Sequence, residues 1–569
     1  MSVNVRWMHL KSRRHKSGLF HAIVAWVFIA MIAYTLLSAA WGHGDGWSRL
    51  FSGWSIGATH DPLDRIKVTL TALGGVGAVG YLVIKYRERA ALERSEADDK
   101  LIRAVQQLGD PSPQVRIAGV YALADVADTY EGPYHQRVVD ILCGYLRTDR
   151  LLKDANGDTR YATNDDGTLD YDQPLSADGA VESTILFVLA NHLYVSHQDK
   201  GAKGCCEGRW SQCHLDLHNA YLTEAVIFHN TFVGNINATG THFTKDSSFL
   251  QCTFMSGANF RNAKFVDVAD FRYSEFKGAT VFSEAKFKGD AYFLGSTFNL
   301  TYFKNATFIE NVDFGGHLAG NAAHFKDESD FSGATFGESA NFGARITDQE
   351  LSGVIFEREA CFDDCTFIGP ANFQGTTFKH LTSFGNYCLD EGATFKSSAT
   401  FADATFEWAN FLEVTFEGET DFSQARFRRE ANFGGSISSR GATVFMRRAD
   451  FEAAYFDSRV NFEGHESSNG TEFRMGVSFN DTAFKERPNF KDVRFNRHLK
   501  HSGDVVFPRN LELNEEGLPK GSHWVDFDRI DPIDSTNRCH QERSNEHDSS
   551  DNNSKGQGKH TQKRWHEQE

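Results

Sequence analysis

The chain has 569 residues, of which 40% are hydrophobic and 13% aromatic, which is enough apolar material for more than one folded module. Its 59 Lys and Arg against 76 Asp and Glu give a formal net charge of −17, which argues against broad binding to a nucleic-acid backbone. The 9 cysteines lie at scattered positions, which suits a reducing compartment better than a disulfide framework.

The N-terminal region predicts a membrane anchor. Residues 1–18 are basic, and residues 19–41, LFHAIVAWVFIAMIAYTLLSAAW, are long and apolar enough to span a bilayer. This stretch is longer than the apolar core of a signal peptide and lacks a clean cleavage site, so we expect it to remain attached. A second, glycine-rich span is predicted at 68–84, where the small residues permit close packing of two helices.

Cationic residues indicate how these two spans are oriented. Five Lys and Arg residues precede the first span, and Lys85, Arg87 and Arg89 follow the second. The loop at 42–67 between the spans contains three. Because cytoplasmic flanks carry the excess of Lys and Arg, both ends of the chain are expected in the cytoplasm, with the loop outside.

Residues 88–200 predict a small helical module. Two apolar-periodic stretches within 100–130 are separated by Gly-Asp-Pro-Ser-Pro at 109–113, a helix stop followed by a helix start. The second stretch resembles the second helix of a HEAT-type repeat. Residues 136–147 and 181–193 are also predicted to be helical. We expect this module to link the membrane to the rest of the chain.

A carboxylate-rich segment at 154–172 is similar to a calcium-binding loop. However, Thr159 stands where the sharp turn of such a loop needs glycine, and Asp165 stands where glutamate is preferred. A solvated loop is therefore the favoured interpretation.

A second candidate metal site combines Cys205, Cys206, Cys213 and His214, which are residue types that zinc prefers. The cysteines lack the two-residue spacing of zinc-binding pairs, so we assign no metal ligand, although metal binding by this cluster stays open. The sequence offers no glycine-rich phosphate loop and no nucleophile motif. No catalytic or cofactor-binding residue and no cofactor is therefore predicted.

Beyond residue 205, phenylalanine recurs at alternating intervals of five and six residues, as at Phe260, Phe265, Phe271 and Phe276. Of the 49 phenylalanines, 43 lie between residues 228 and 495. Neither the helical period of 3.6 nor the strand period of 2 fits this spacing. A small residue usually stands two positions before each Phe, with a polar residue between them.

This spacing predicts a chain wound into a four-sided coil. In an extended stretch, alternate residues face the same way, so Ala258 and Phe260 point inward while Asn259 points outward. Two or three further residues then turn the corner. Two five-residue and two six-residue sides, or about 22 residues, close one coil, and stacked coils bury a continuous apolar ladder.

Units such as Ala258-Asn259-Phe260 and Ala371-Asn372-Phe373 resemble the repeat of the pentapeptide-repeat family. The resemblance covers roughly 214–497 and implies an all-β, right-handed quadrilateral β-helix, which we assign to 205–500. The extra sixth residue is similar to the Phe-rich branch of the family and implies looser corners. The layout, with a small α-helical module and two transmembrane helices in front, resembles bacterial membrane-tethered members. It implies a multi-pass protein of the bacterial inner (plasma) membrane with a cytoplasmic β-helix.

The phenylalanine ladder is interrupted in several places. An interval of 11 residues, as from Phe314 to Phe325, is interpreted as a coil in which one side lacks Phe. Leu389 is expected to fill one such side, and Ile346 and Leu351 to continue the core elsewhere. The Gly- and Ser-rich stretches are predicted to be corner loops: 434–444 and 464–470.

The C-terminal part divides into a predicted cap at 501–533 and a tail at 534–569. Residues 523–530, HWVDFDRI, are expected to cover the last coil, because an open β-helix end is an edge for aggregation. The tail has almost no aliphatic residues and is predicted to be disordered.

Three functions follow from the sequence. The favoured one is a non-enzymatic, membrane-anchored scaffold that presents a rigid rod to an unidentified protein partner. The resemblance implies a second, mimicry of DNA for type II topoisomerase binding, which requires a strong acidic face. The acidic run from Asp403 to Asp421 is followed directly by Arg426, Arg428 and Arg429. The third is a β-helical carbohydrate-active enzyme. The sequence predicts no direct nucleic-acid binding, and it leaves the oligomeric state and the binding face open.

Overall fold

The structure is a computed structural model. It describes residues 28, 31–32, 62–195, 210–316, 322–344, 353–385, 392–435, 442–464 and 470–527. The basic segment 1–18, most of the first predicted span at 19–41 and most of the loop at 42–67 lie outside these residues. The chain divides into two compact units, Met1–Glu131 and Gly132–Glu569.

The described part of the first unit contains two helices, α1 (Pro62–Leu108) and α2 (Pro113–Tyr130). Helix α1 is continuous through the second predicted span at 68–84 and on into the predicted helical module. It ends before the Gly-Asp-Pro-Ser-Pro stretch, and α2 begins at Pro113, a position where proline's fixed φ suits the first helical turn. A Cβ on Gly119 would lie 2.7 Å from the backbone nitrogen of Leu108, so glycine permits the two helices to approach closely. Among the described residues, no helix is long and apolar enough to cross a membrane.

The second unit begins with two helices and a hairpin that precede the coils. Helices α3 (Pro133–Leu146) and α4 (Gly179–Leu193) occupy the segments predicted as helical at 136–147 and 181–193. Between them, an antiparallel hairpin pairs Tyr161–Thr163 with Leu169–Pro174. The division between the two units falls after Glu131, within the segment 88–200.

From residue 214 onward the chain winds into a parallel β-helix with four columns of short strands. We number the columns by the phenylalanines of one coil: Phe260 in column 1, Phe265 in column 2, Phe271 in column 3 and Phe276 in column 4. Neighbouring strands pair in parallel and in register, so that Phe287 lies opposite Phe265. The predicted four-sided solenoid is confirmed.

Columns 2 and 3 form separate sheets of 13 and 12 strands. The strands of column 2 are Tyr221–Leu222, His242–Phe243, Lys264–Phe265, Lys286–Phe287, Thr307–Phe308, Thr335–Phe336, Thr366–Phe367, Thr394–Phe395, Thr415–Phe416, Val444–Phe445, Glu472–Phe473, Arg494–Asn496 and His523–Val525. The strands of column 3 are Val226–Ile227, Ser247–Ser248, Ala269–Asp270, Ala291–Tyr292, Val312–Asp313, Ala340–Asn341, Ala371–Asn372, Ala399–Thr400, Thr420–Asp421, Ala449–Asp450, Val477–Ser478 and Val505–Val506.

Columns 1 and 4 are connected by longer strands that run through the corner between them: Phe232–Asn237, Thr253–Asn259, Thr377–Gly385 and Thr405–Phe411. The remaining strands of column 1 are His214–Asp216, Ala279–Val281, Thr301–Tyr302, Ser329–Asp330, Ala360–Cys361, Ala431–Asn432 and Val460–Asn461. The remaining strands of column 4 are Glu275–Phe276, Thr297–Phe298, His324–Phe325, Ile355–Phe356, Arg426–Phe427, Tyr455–Phe456 and Ala483–Phe484.

Stacked phenylalanine rings fill the interior along each column. In column 1, Phe260 lies 4.9 Å from Phe282 between ring centroids, with 5° between the ring planes. In column 2, Phe265 and Phe287 are 4.8 Å apart at 2°. Rings of adjacent columns meet edge to face, as Phe260 and Phe271 do at 78°. Both arrangements are favourable for aromatic quadrupoles, so the core is a continuous aromatic ladder.

Two kinds of corner alternate around each coil. After columns 1 and 3 the chain makes a tight turn, in which the Ala263 backbone N–H donates to the Phe260 carbonyl at 3.0 Å. The residue two positions after the Phe then has a positive φ, 54° at Asn262 and 58° at Tyr273. The sixth residue of the repeat lies in the corners after columns 2 and 4, as between Phe265 and Phe271.

The prediction that the 11-residue intervals are coils with one side lacking Phe is wrong. Phe314 belongs to column 3, and Phe325 stacks on Phe298 of column 4 at 4.9 Å. The interval is therefore one lengthened corner of a coil that keeps all four sides. The same holds for four further intervals: Phe342–Phe356, Phe384–Phe395, Phe433–Phe445 and Phe462–Phe473.

All five lengthened corners follow column 1 or column 3, where the short corner is a tight turn. The turn's closing hydrogen bond is retained, since Ala323 N–H donates to the Phe314 carbonyl at 2.8 Å and Thr471 N–H to the Phe462 carbonyl at 3.0 Å. Register therefore survives the insertion. Ile346, Leu351 and Leu389 lie in these intervals but outside the described residues, and no side of the coil requires them. The corner loops predicted at 434–444 and 464–470 are two of the five, with 436–441 and 465–469 outside the described residues.

The segment predicted as a cap adds further strands to the C-terminal end of the β-helix. After a 3-10 turn at Arg497–His501, strand His523–Val525 pairs with Arg494–Asn496 as the last strand of column 2. Phe527 then lies against two guanidinium groups, those of Arg474 at 5.3 Å and Arg494 at 5.6 Å. Residues 528–569, which include the predicted tail, are outside the described residues.

Candidate functional site

The outward residues of columns 1 and 3 are largely committed to the corners. Asn372 Oδ1 accepts a hydrogen bond from the Gln374 backbone N–H at 2.9 Å, which caps the tight turn that follows. Its Nδ2 donates to Asn341 Oδ1 of the preceding coil at 2.9 Å, and Asn341 Nδ2 donates to Asp313 Oδ1 at 2.8 Å. These side-chain ladders explain why Asn and Asp recur before Phe in these two columns.

Column 2 presents a different, uncharged face in its middle coils. Five successive strands place a threonine outward in register: Thr307, Thr335, Thr366, Thr394 and Thr415. β-branched side chains of this kind pack well on a pleated surface. Lysines stand at the same outward position in two strands nearer the N-terminus, Lys264 and Lys286.

The acidic run of the sequence does not form a single acidic face. Glu407 follows Phe406 of column 4 and pairs with Arg429 at 2.8 Å, whereas Glu417 follows Phe416 of column 2. Asp421 lies in column 3, opposite Asp450 of the next coil. Each of these two aspartates accepts a backbone N–H two residues ahead, at 2.8 and 2.9 Å, so both carboxylates stabilise turns.

A cleft of about 540 Å³ opens where the segment before the coils meets column 2. Its walls come from three places: the residues that follow α3, the hairpin, and the outward side chains of the first three strands of column 2. The residues that give it its chemical character are Arg147, Lys153, Tyr161, Tyr171, Tyr221 and His242.

The hairpin wall is fixed to column 2 by charge and by hydrogen bonding. Asp172 pairs with both Lys264 and Lys288, which come from adjacent coils. Gln173 Nε2 donates to the Thr244 carbonyl at 2.7 Å. Burial raises the pKa of Asp172, but the hydrogen bonds and charges of the two lysines outweigh this and hold the pKa below its usual value. The carboxylate is therefore the centre of a clamp between hairpin and β-helix.

A buried ion pair fixes the helices beneath the cleft. Arg150 pairs with Glu182 of α4, and their side chains are 6% and 0% exposed. Glu182 also accepts the Thr223 backbone N–H at 2.6 Å, and Arg150 donates to the Tyr221 carbonyl at 2.7 Å. Because the two charges compensate each other and both side chains are hydrogen-bonded to the first coil of the β-helix, helix α4 and that coil are locked in one arrangement.

Aromatic pairs stand on two walls of the cleft. The Tyr221 and His242 rings stack at 4.2 Å on column 2, and Tyr161 and Tyr171 lie 5.1 Å apart on the hairpin. Burial lowers the pKa of His242, and the charge of Lys264 lowers it further, while Asp172 opposes this. The imidazole therefore favours its neutral form. Sequence reasoning missed this cleft, because none of these residues belongs to a recognisable motif.

The candidate calcium loop is instead a pair of turns and a hairpin. Asp154 Oδ1 accepts the backbone N–H groups of Asn156 and Asp158, both at 2.9 Å. The bond from Asp158 is the main reason that the pKa of Asp154 lies below its usual value. Thr159 lines the cleft, and Asp165 lies in the exposed hairpin turn. Within the described ranges, no group of His, Cys, Asp and Glu is arranged to hold a metal ion.

The candidate zinc cluster is divided by the structure as far as it is described. Cys213 is buried, and burial, with Asp140 contributing, raises the pKa of its thiol to about 11, whereas His214, the first residue of strand His214–Asp216, is exposed. One side chain is buried and the other is exposed, so this pair is poorly placed to share an ion. Cys205 and Cys206 lie outside the described residues.

Cys361 is disulfide-bonded, which the sequence did not predict. Its partner is none of the four free cysteines of the described chain: Cys143, Cys213, Cys252 and Cys365. Cys365 occupies a small inward position of the coil and is 1% exposed.

Comparison with known proteins finds one family. The family model described as pentapeptide repeats matches with 9 copies, at residues 271–316, 391–426 and 401–444. The matched segments lie within the β-helix, where each Phe occupies one of the four columns. No curated protein and no solved structure matches the chain.

Proposed function

Since this chain is a pentapeptide-repeat protein, we propose that it is a non-enzymatic scaffold that presents its β-helix to a protein partner. The observation that carries the proposal is the register of the four columns. Column 2 alone stacks 13 strands, and at a spacing of about 4.8 Å per strand these extend roughly 60 Å. A surface of this length is sufficient for a standard protein interface.

The four faces differ in ways that favour recognition by one of them. Outward side chains of columns 1 and 3 are largely occupied by turn caps and by ladders such as Asn372 to Asn341. The middle of column 2 presents uncharged threonines, and column 4 presents mixed charges such as Lys379 and Glu357, 2.9 Å apart. A partner that reads a fixed pattern of side chains would therefore bind one face or two adjacent faces.

Site-specific photo-crosslinking tests this proposal in cells. A photoreactive amino acid is placed at one outward position of each column: Asp330 in column 1, Thr335 in column 2, Asn372 in column 3 and Thr377 in column 4. The expected result is an adduct with the same protein from one column or from two adjacent columns. Adducts from no column, or equally from all four, would contradict the scaffold proposal.

We further propose that the scaffold is anchored in the plasma membrane by spans at 19–41 and 68–84, with both termini and the β-helix in the cytoplasm. The apolar length of the first segment and the distribution of flanking Lys and Arg support this. A cysteine placed at Ser52 should react with a membrane-impermeant thiol reagent in intact cells, and Cys205 should react only after permeabilisation. Release of the chain by carbonate washing, or labelling of Cys205 from outside, would contradict the anchor.

A further inference from the structure

We propose that the cleft between the hairpin and column 2 binds a small anion that carries a planar ring, of about the size of a nucleoside monophosphate. Its volume of about 540 Å³ falls within the range of small-molecule sites in proteins. The proposal is independent of the scaffold function, because the cleft involves only the first coils and the segment before them.

The walls of the cleft are fixed in place before any ligand binds. The Asp172 clamp to Lys264 and Lys288 holds the hairpin, and the buried pair of Arg150 and Glu182 holds the other wall. A preformed cavity avoids the ordering cost that a flexible loop would incur on binding.

The aromatic residues supply surfaces for a planar ring. Tyr171 is 71% exposed, although its ring centroid lies 5.1 Å from that of Tyr161. Tyr221 is 40% exposed, although its ring centroid lies 4.2 Å from that of His242. Exposed tyrosines on two walls of one cleft leave apolar ring faces in water, and a flat ligand that stacks on them would remove this exposure.

The charged residues of the lining favour an anion. Arg147, Arg150, Lys153 and Lys264 line the cleft with only Asp149 and Asp172 as carboxylates, in a chain whose net charge is −17. Arg147 pairs with Asp216 at 3.0 Å and Lys153 with Asp149 at 3.3 Å. The side chains of Arg147 and Lys153 are 30% and 39% exposed, respectively. Partly exposed ion pairs of this kind are weak enough for a phosphate to compete for the cation.

Two further observations concern the positive charge of the lining. Within the described chain, Nε of Arg147 and Nε of Arg150 are buried without a hydrogen-bond partner. The Arg150 side chain is 6% exposed and lies in the wall of the cleft. The effect of Lys264 on His242 also shows that the positive charge reaches the stacked imidazole. A phosphate beside Lys264 and His242 would counter that charge.

Calorimetric titration of the full chain with AMP, GMP, UMP, adenosine and inorganic phosphate tests the proposal. At least one nucleotide should bind with a Kd below about 1 mM, and its nucleoside and phosphate alone should bind at least about tenfold more weakly. The His242 imidazole, followed by NMR, should titrate at higher pH in the nucleotide complex, because the bound phosphate favours its cationic form.

Two variants with matched controls assign the binding to this cleft. Tyr171→Ala removes a largely exposed ring, and Lys153→Gln removes an exposed charge, so both should fold. Each should weaken nucleotide binding by about tenfold or more. Tyr273→Ala and Lys396→Gln change exposed residues away from the cleft and should bind normally. Absence of binding by all three nucleotides, or binding that both cleft variants leave unchanged, would overturn the proposal.

Discussion

Phe260 and Phe282 lie one coil apart in the chain, and their rings are nearly parallel, with 4.9 Å between centroids and 5° between planes. The distance equals the spacing of the parallel strands that carry them, about 4.8 Å. One turn of backbone therefore advances the chain by a distance at which offset-stacked rings are in favourable contact, about 4.5–7 Å between centroids. This match explains why phenylalanine can occupy the central position in coil after coil without leaving a void.

Removing one ring of this ladder should destabilise the β-helix strongly. Phe260→Ala leaves a cavity between stacked neighbours at 0% exposure, and we expect it to cost about 3–5 kcal/mol of unfolding free energy. Asn259→Ala should cost about 0.5–1.5 kcal/mol, because Asn259 Oδ1 accepts the Arg261 backbone N–H at 3.0 Å. Denaturant unfolding of both variants measures the difference. Equal losses for the two would contradict the assignment of Phe260 to the core and Asn259 to the outer face.

Replacing a non-glycine residue at a tight corner with glycine should stabilise the protein. Ala453 has a φ of 54°, in a region where the Cβ of an L-residue is crowded. Ala453→Gly should therefore raise the unfolding free energy by about 0.5–1 kcal/mol, after subtraction of the greater freedom of glycine in the unfolded chain. Ala454→Gly is the control, since Ala454 is buried and the same change at this position should destabilise the protein. A loss of stability in both variants would argue against strain at this corner.

The buried pair of Arg150 and Glu182 should show strong coupling in a double-mutant cycle. Glu182→Leu leaves the Arg150 charge uncompensated and should cost about 3–5 kcal/mol, as should Arg150→Met. The double variant should lose much less than the sum, because no buried charge remains. Thermal or denaturant unfolding of the four proteins gives the coupling energy. Additive losses would mean that the two charges do not depend on one another.

The Asp172 clamp should weaken in acid. The pKa of Asp172 is lower in the folded chain than in the unfolded chain, where it is about 4. The carboxylate therefore stabilises the docked hairpin fully above the unfolded pKa. This stabilisation is lost as the pH falls through the folded pKa. Amide hydrogen exchange of residues 161–174 should therefore be slow at neutral pH once corrected for intrinsic rates, and protection should fall below about pH 4. Asp172→Asn should show, already at neutral pH, the low protection that the wild type shows only in acid.

Asp166→Asn provides the control for that experiment. The pKa of Asp166 is also lowered, but by hydrogen bonds from Thr168 within the hairpin turn. Its effect should remain in the turn and leave exchange of the strands unchanged. Equal exchange in wild type and Asp172→Asn would show that the clamp does not hold the hairpin.

The second unit should not act as a DNA mimic toward type II topoisomerase. Glu417 and Asp421 lie on different columns and Glu407 is paired with Arg429, so the acidic run offers no continuous face. In a supercoiling assay, residues 132–569 should not inhibit, and the triple variant E413Q, E417Q, D421N should behave identically. Potent inhibition that these substitutions abolish would favour mimicry. The fragment begins at Gly132 because α3 and α4 pack on the first coils.

The sequence by itself determined the repeating part of this protein. The alternation of five and six residues places Phe inward, as at Phe260, and a polar residue outward, as at Asn259. These assignments depend only on residues a few positions apart, and the coil repeats the same local rule along the chain. The sequence pattern therefore predicted the four-sided solenoid and its core.

The tertiary structure alone decided how the coil accommodates the long intervals between phenylalanines. An interval of 11 residues between two phenylalanines fits a coil in which one side lacks Phe. It equally fits a coil that keeps all four sides and has one lengthened corner, because both place the next Phe 11 residues further along the chain. Only the stacking of Phe325 on Phe298 distinguishes the two. The cleft was equally beyond the sequence, since Asp172 meets Lys264 and Lys288 across 92 and 116 residues of chain. Such contacts follow from how a non-repeating segment packs against the coils, and no local pattern specifies them.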